Sequence, residues 1–175
     1  PAVYNRLVVL FGRNYAAAPT ASGQNMLVAQ SLTYGEQMGW IYPEVYRNLK
    51  HRSFYRKCVL CREKIGSFFY DGEILRSPSI RNSRVLRTSR ITIEAIGGRL
   101  SHTATFSEIW RRSDGKKLLI LINASGKPDK PVITSPDLPD GVFAPFGDLK
   151  TPVACRNGEC APELPPLSVS YLIWE

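Results

Sequence analysis

The segment from Val3 to Phe11 ends in a continuous run of apolar residues that is rich in valine. A strand buried on both faces, as in a parallel sheet, has this pattern, whereas a strand with one solvated face alternates. Such a strand needs parallel neighbours, and the rest of the chain offers few. The run therefore predicts that the first part of the chain belongs to a larger parallel assembly whose other strands precede Pro1.

Two helix patterns follow this strand and are separated by a short extended piece. The segment from Asn25 to Tyr34 is rich in helix-forming residues, and Gly35 is expected to end that helix. Glu36 to Ile41 is expected to be extended, and Pro43 suits the first turn of a second helix, from Glu44 to about Ser67. Strand, helix, short strand and helix form a βαβα unit, the repeat of α/β folds.

The second predicted helix combines an apolar stripe with a basic surface. The chain has 23 Lys and Arg against 15 Asp and Glu, a net charge of +8, and many of the basic residues lie on this helix. They are not accompanied by the aromatic pattern of an RNA-binding sheet, so we expect no nucleic-acid partner. No apolar run approaches the roughly 18 residues of a membrane span, so no membrane association is expected. The predicted stripe consists of Val45, Leu49, Cys58, Cys61 and Ile65, flanked by Tyr55, Val59 and Phe68.

From Gly66 onward the helical pattern gives way to short strands. The alternation in Leu100 to Arg112, the dipeptide Asp114-Gly115 and the apolar segment Lys116 to Asn123 predict a hairpin with a two-residue turn. Short strands separated by Pro and Gly predict an antiparallel β-sandwich, with Trp110 and Trp174 in its core. Other strands are expected at Glu73 to Leu75, Arg90 to Ile96, Val132 to Thr134 and Ser168 to Trp174, and Arg81 to Ser89 is expected to be a polar loop.

These patterns predict an α+β chain with two parts. Residues 1–69 are expected to form a partial (β/α) barrel segment of about two βα units, the C-terminal βαβα end of a truncated barrel. Residues 70–175 are expected to form the antiparallel β-sandwich as an accessory domain.

The four cysteines form two pairs. Cys58 and Cys61 have the spacing of a zinc knuckle or a redox motif, but they lie within an amphipathic helical pattern, which favours two core cysteines. Cys155 and Cys160 flank a turn that contains Gly158, so a local disulfide is compatible with an oxidising compartment such as the periplasm or the extracellular space. Nothing else in the sequence fixes the compartment.

Several catalytic motifs are absent from the sequence. It has no GxSxG elbow, no phosphate-binding GxxxxGK loop and no cluster of metal-ligating residues, so we expect no metal site and no cofactor. Glycoside hydrolysis requires two carboxylates about 5 to 9.5 Å apart. The βαβα part offers only Glu36 at a strand end, so the catalytic residues remain unassigned and the chain alone is expected to be inactive.

The order of several short motifs resembles the end of a known enzyme family. The segment Tyr34 to Pro43, the Arg-rich and aromatic stretch Arg62 to Gly72, the hairpin Trp110 to Gly115 and the strand Leu118 to Asn123 follow one another as in predicted bacterial glycosidases. These enzymes are distantly similar to α-galactosidases and have a (β/α)8 barrel catalogued as a domain of unknown function. The resemblance covers nearly the whole chain but only the C-terminal end of the family, and about six preceding βα units are not present.

The resemblance implies a carbohydrate substrate and a position near the barrel rim for several residues. Glu36, Gln37 and Trp40 are expected at the C-terminal ends of the barrel strands, where sites of this fold lie, with Trp40 stacking on a sugar ring. Arg13 is expected to bind a hydroxyl or a carboxylate. From the residues alone, Glu36 also suits a cap or an arginine partner, and Trp40 suits a packing role. A free-standing carbohydrate- or protein-binding β-module remains the alternative function.

Overall fold

The computed structural model describes residues 20–38, 47, 49–90 and 98–175. Within these ranges it contains two helices, α1 (Ala21–Thr33) and α2 (Leu49–Tyr70). It also contains twelve strands, all paired antiparallel. In chain order the strands are β1 (Gly72–Ile74), β2 (Ser79–Arg81), β3 (Val85–Arg90), β4 (Gly98–Thr103), β5 (Thr105–Arg112), β6 (Lys117–Asn123), β7 (Val132–Thr134), β8 (Gly141–Phe143), β9 (Phe146–Gly147), β10 (Val153–Arg156), β11 (Glu159–Cys160) and β12 (Ser168–Trp174).

The first helix begins earlier than the sequence pattern indicates because Thr20 caps it. The Thr20 hydroxyl accepts a hydrogen bond of 3.1 Å from the backbone N–H of Gly23, which satisfies one of the free donors of the first turn. The helix ends at Thr33, and Gly35 follows with a positive φ of 66°. That conformation favours glycine, as expected for the residue that terminates a helix.

The second helix continues three residues beyond the predicted end at Ser67, to Tyr70. Its buried face follows helical spacing and includes Phe54, Tyr55, Cys58, Cys61, Ile65, Phe68 and Phe69. The prediction that Cys58 and Cys61 are core residues of a helix is confirmed. The prediction for Val59 is wrong, because this residue is 38% exposed. No described helix is both long and apolar enough to span a membrane.

The central sheet has the strand order β1-β5-β6-β12-β9. The predicted hairpin is confirmed as β5 and β6, with Trp110 opposite Leu118 and Thr105 opposite Asn123. Its turn is longer by one residue than predicted. The backbone N–H of Arg112 donates to the carbonyl of Lys116 at 2.8 Å, and Gly115 has a φ of 91°, which gives a three-residue loop with glycine in the left-handed position.

A second five-stranded sheet has the order β2-β7-β11-β10-β8. Strands β10 and β11 form a hairpin through Asn157 and Gly158, whose φ angles of 51° and 73° are both positive. Positive φ at both central residues defines a type I′ turn, and the dipeptide Asn-Gly is favoured there.

A third, two-stranded sheet corrects two of the sequence predictions. The supposed polar loop Arg81 to Ser89 contains β3, which pairs with β4 from Val85–Thr103 to Arg90–Gly98. The single strand predicted from Leu100 to Arg112 is divided at Ala104 into two strands. Before Ala104, β4 pairs with β3, and after it, β5 pairs with β6. Hydrogen bonds from Ala104 N–H to the Arg84 carbonyl and from Ala124 N–H to the Ala104 carbonyl hold this division.

The central sheet is covered on both faces. Trp110, Ile120 and Ile122 pack against the two helices, whereas Ile109, Leu119 and Leu121 pack in a second cluster with residues of the other five-stranded sheet. Strand β6 is therefore buried on both sides, which explains its unbroken apolar sequence. Trp110 and Trp174 are core residues as predicted, although Trp110 packs against the helices and not between the sheets.

The α+β class is confirmed, since antiparallel sheets are the main secondary structure of the described residues and two helices pack on them. The barrel segment and the division at residues 69 and 70 stay predictions. The strand Val3 to Phe11 and the beginning of the second helix lie outside the described residues, and so do residues 91–96 of the strand expected at Arg90 to Ile96.

Candidate functional site

Glu36 lies directly after the glycine turn that ends α1. Its backbone N–H donates to the carbonyl of Ser31 at 2.8 Å, and the Ser31 hydroxyl donates to its Oε2 at 3.1 Å. The side chain is buried, with 5% exposed. The carboxylate is thus folded back on the last turn of α1.

The Gly35 turn is enclosed by two aromatic rings from distant parts of the chain. A Cβ atom at Gly35 would lie 2.9 Å from Cη2 of Trp110 and 3.0 Å from Cδ1 of Phe69. The two rings meet edge to face with centroids 4.9 Å apart, and the indole Nε1–H of Trp110 donates to the carbonyl of Thr33 at 3.0 Å. Trp110 of strand β5 and Phe69 of helix α2 therefore fix the position of the turn that joins the end of α1 to Glu36.

The other predicted site residues are only partly covered by the structure. Gln37 is half-buried, follows Glu36 directly and takes part in an isolated β-bridge. Arg13 and Trp40 lie outside the described residues. The structure thus places Glu36 and Gln37 directly after the turn at Gly35 that the aromatic pair encloses, and the proposed roles of all four residues stay predictions.

Glu108 is a buried carboxylate that the sequence analysis did not single out. It lies on β5 two residues before Trp110, and its oxygens accept hydrogen bonds from the Ser77 hydroxyl at 2.9 Å and from the backbone N–H of Ile109 at 3.3 Å. Burial raises the pKa of Glu108, and these two hydrogen bonds oppose the rise. The alternation of β5, which places Glu108 on the face of Trp110, was the signal that could have identified it.

His51 belongs to a polar connection between the two helices. Its Nδ1 lies 2.8 Å from Oδ1 of Asn25, and Nδ2 of Asn25 donates to the carbonyl of Ala124 at 3.3 Å. Because the amide oxygen accepts, Nδ1 of the imidazole carries the proton in this pair. Burial lowers the pKa of His51, so the neutral ring is the favoured form and its described contacts are structural.

The cysteines of α2 do not have the properties of a reactive thiol pair. Burial raises the pKa of Cys61 to about 12 and raises the pKa of Cys58 well above its usual value. A thiolate is therefore disfavoured at both positions. In the part of the chain that the structure describes, no three His, Cys, Asp or Glu residues group together as a metal site requires.

A surface pocket of about 600 Å³ lies where the end of α2 meets the β5–β6 hairpin. Tyr70 is 65% exposed at this pocket, and the guanidinium of Arg62 lies 5.8 Å from the centroid of its ring. Neither Glu36 nor Glu108 lines the pocket. Its principal side chains are Tyr70, Asp71, Glu73, Arg111, Arg112 and Ser113.

Ion pairs hold the polar side chains of this pocket in fixed orientations. Two nitrogens of Arg111 donate to Glu73 Oε1, and two nitrogens of Arg112 donate to the two carboxylate oxygens of Asp114. The hydrogen bonds from Arg112 hold the pKa of Asp114 at about 2. Planar groups of this kind are suited to binding pairs of hydroxyls, and an exposed aromatic ring beside them is suited to stacking.

Three solved structures are similar to the chain at low sequence identity. An Anoxybacillus α-amylase has 12% identity and a TM-score of 0.43, and an α-amylase from H. orenii has 16% identity and the same TM-score. A GH30 endoxylanase from Clostridium papyrosolvens C71 has 11% identity and a TM-score of 0.41. These matches cover 87%, 89% and 94% of this chain, but only 32%, 36% and 40% of the respective enzymes. No protein-family model and no curated protein matches the sequence.

Proposed function

We propose that the chain is the C-terminal part of a (β/α)8-barrel glycoside hydrolase. Helices α1 and α2 belong to the last two βα units of the barrel, and the two five-stranded sheets form an accessory β-sandwich. The observation that carries the proposal is the contact between Gly35 and Trp110. Both belong to motifs of the resemblance, the Gly-Glu-Gln turn and the Trp-Arg-x-x-Asp-Gly hairpin, and these motifs meet in space although they are far apart in sequence.

This contact indicates how the accessory sheets serve the barrel. Trp110 and Phe69 hold the end of α1, and the Ser31 hydroxyl orients the carboxylate of Glu36. Glu36 thus acts as a positioning residue that sets the direction in which the chain leaves the turn. Gln37 and Trp40, together with Arg13, contact the carbohydrate at the rim, and the catalytic carboxylates lie on earlier barrel strands. The chain alone is inactive.

The test begins with the genomic reading frame upstream of Pro1. A continuation with strand–helix repeats and Asp or Glu at strand ends is the expected result, and a start codon immediately before Pro1 would overturn the proposal. The longer protein is then assayed for hydrolysis of 4-nitrophenyl glycosides. Gln37→Ala should raise KM more than it lowers kcat, whereas Glu163→Ala, at an exposed position of the second part of the chain, should change neither.

The pocket at Tyr70 favours a second candidate, a carbohydrate-binding module that works without a barrel. An exposed aromatic ring beside oriented Arg and carboxylate groups is a common way to hold a sugar ring. This candidate is tested by measuring, with calorimetry, whether the isolated chain binds maltotetraose and xylotetraose. Tyr70→Ala should abolish binding, and Phe146→Ala, which removes another exposed ring, should leave it unchanged. Absence of binding by the unmodified chain would rule this candidate out for these sugars.

A further inference from the structure

Cys155 and Cys160 are direct partners across the β10–β11 hairpin. Arg156 and Glu159 form the pair that closes the type I′ turn, and the pair next to a two-residue turn is the hydrogen-bonded one. Hydrogen-bonded and non-hydrogen-bonded pairs alternate in an antiparallel ladder. Cys155 and Cys160 are therefore a non-hydrogen-bonded pair, in which the side chains approach most closely.

Both thiols point to the same side of the hairpin. Along β10 the residues alternate, with Val153 and Cys155 buried and Ala154 and Arg156 exposed, and Cys160 is buried on the neighbouring strand. Cys155 is 1% exposed and Cys160 is 2% exposed, and both belong to the core that includes residues of both large sheets. Partners in such a ladder have Cα atoms about 4.5 to 5.5 Å apart, within the range that a disulfide spans.

We propose that Cys155 and Cys160 form a cross-strand disulfide when the protein folds in the presence of a thiol oxidant such as glutathione disulfide. Cys155 loses its proton, and its sulfur attacks one sulfur of glutathione disulfide, forming a mixed disulfide and releasing a glutathione thiolate. Cys160 then loses its proton and attacks the Cys155 sulfur, which releases the second glutathione thiolate. The two protons are taken up by the two thiolates. Two cysteine thiols are thus oxidised and one glutathione disulfide is reduced.

The electrostatics of the pair favour this order of attack. A hydrogen bond from the Cys160 thiol to the Cys155 sulfur lowers the pKa of Cys155. The same hydrogen bond, with burial, raises the pKa of Cys160. Cys155 is therefore the thiol that ionises first and starts the exchange. Cys58 and Cys61 ionise less readily than Cys155, because burial raises the pKa of both.

The crosslink would fasten the middle of the second sheet. Strands β11 and β10 lie between β7 and β8, so opening their hairpin would separate the sheet into two parts. A disulfide at this place fits a protein that folds in an oxidising compartment. The inference does not depend on the proposed glycosidase function.

The position of Arg156 makes the disulfide easy to detect. Trypsin cleaves after Lys150 and after Arg156, so the two cysteines fall on different peptides, 151–156 and 157–175. The reduced chain is refolded from urea in the presence of glutathione disulfide, its remaining thiols are blocked with iodoacetamide in urea, and the digest is analysed by mass spectrometry without reduction. We expect the two peptides to be linked, with a mass lower by two hydrogen atoms than their sum. The linked form should exceed peptides carrying glutathione by more than about tenfold, because the second thiol is already in place.

The controls separate this pairing from non-specific oxidation. Cys160→Ala should leave Cys155 as a glutathione adduct with no linked peptide, and Cys58→Ala should retain the link. The result on the unmodified chain decides the proposal even if a variant fails to fold. The proposal would be overturned by separate peptides in which both cysteines carry a carbamidomethyl group or glutathione. A link from either cysteine to Cys58 or Cys61 would also overturn it.

Discussion

The indole N–H of Trp110 donates a hydrogen bond of 3.0 Å to the backbone carbonyl of Thr33, although the two residues are 77 positions apart. The bond joins the last residue of α1 to the middle of the sheet. It also lies beside Gly35, which the same indole ring contacts. The position of the Gly-Glu-Gln segment therefore depends on a strand that is far from it in sequence.

Trp110→Phe should destabilise the chain more than the loss of ring area explains. The replacement keeps an aromatic ring but removes the donor to the buried carbonyl of Thr33, which costs about 1–3 kcal/mol. Urea unfolding followed by circular dichroism measures the change. Trp174→Phe is the matched control, since this indole is also buried but donates to no described residue. Equal losses in the two variants would contradict the importance of the Thr33 hydrogen bond.

Gly35→Ala should destabilise the end of α1. The left-handed conformation at φ 66° costs an alanine about 1–2 kcal/mol, and the new methyl group would press on Trp110 and Phe69. A lower midpoint of thermal unfolding is the expected observation. Gly126→Ala is the control, because a Cβ there meets nothing within 4 Å. If both variants unfold at the same temperature, the Gly35 turn is not held as described.

His51 should make the chain less stable as the pH is lowered. Burial lowers the pKa of His51 below 6.5, so under mildly acidic conditions the unfolded chain binds a proton that the folded chain resists. The free energy of unfolding should therefore fall from about pH 7.5 to about pH 5.5. The fall should be smaller in His51→Gln, which stays neutral. Urea titrations at both pH values test this, and an identical fall in the two proteins would contradict it.

Asp129→Ala should be among the most destabilising single changes. The carboxylate accepts hydrogen bonds from the Ser83 hydroxyl, the Arg84 backbone N–H at 2.9 Å and the Thr105 hydroxyl at 2.7 Å. Its removal leaves these donors without their acceptor, so we expect a loss of roughly 3 kcal/mol or more in urea unfolding.

The exposed ion pair of Glu163 with Lys130 provides the control for this change. Glu163→Ala should cost no more than about 1 kcal/mol, because surface ion pairs contribute little. A comparable loss in both variants would show that the Asp129 contacts are weaker than their number indicates.

Local patterns predicted the elements that a short stretch of sequence encodes. The strands β7 and β12 lie at the predicted positions, and the β5–β6 hairpin follows from alternation and Asp114-Gly115. Strand β3 was missed because the side chain of β3 described as buried is the polar Thr88, so no apolar alternation marks the strand. The split at Ala104 was missed because it reflects a change of partner, which no local pattern records.

The site was less predictable than the fold because long-range contacts determine it. The sequence located Glu36 and Gln37 after a helix, but the turn at Gly35 that precedes them is enclosed by Phe69 and Trp110, which are distant in sequence. The pocket at Tyr70 likewise requires the end of α2 to meet the β5–β6 hairpin. The Asn157-Gly158 turn is different, because its dipeptide is a local signal that could have predicted the β10–β11 hairpin.

The place of β12 between β6 and β9 has a consequence for synthesis of the protein. During translation β6 leaves the ribosome long before β12, and its Leu-Leu-Ile-Leu-Ile edge has no partner until Ser168–Trp174 has emerged. An apolar strand with an open edge is a template for association with other chains. Ribosome stalling or a premature stop before Ser168 therefore produces a self-associating polypeptide, and removing Ser168–Trp174 is a poor route to a smaller soluble domain.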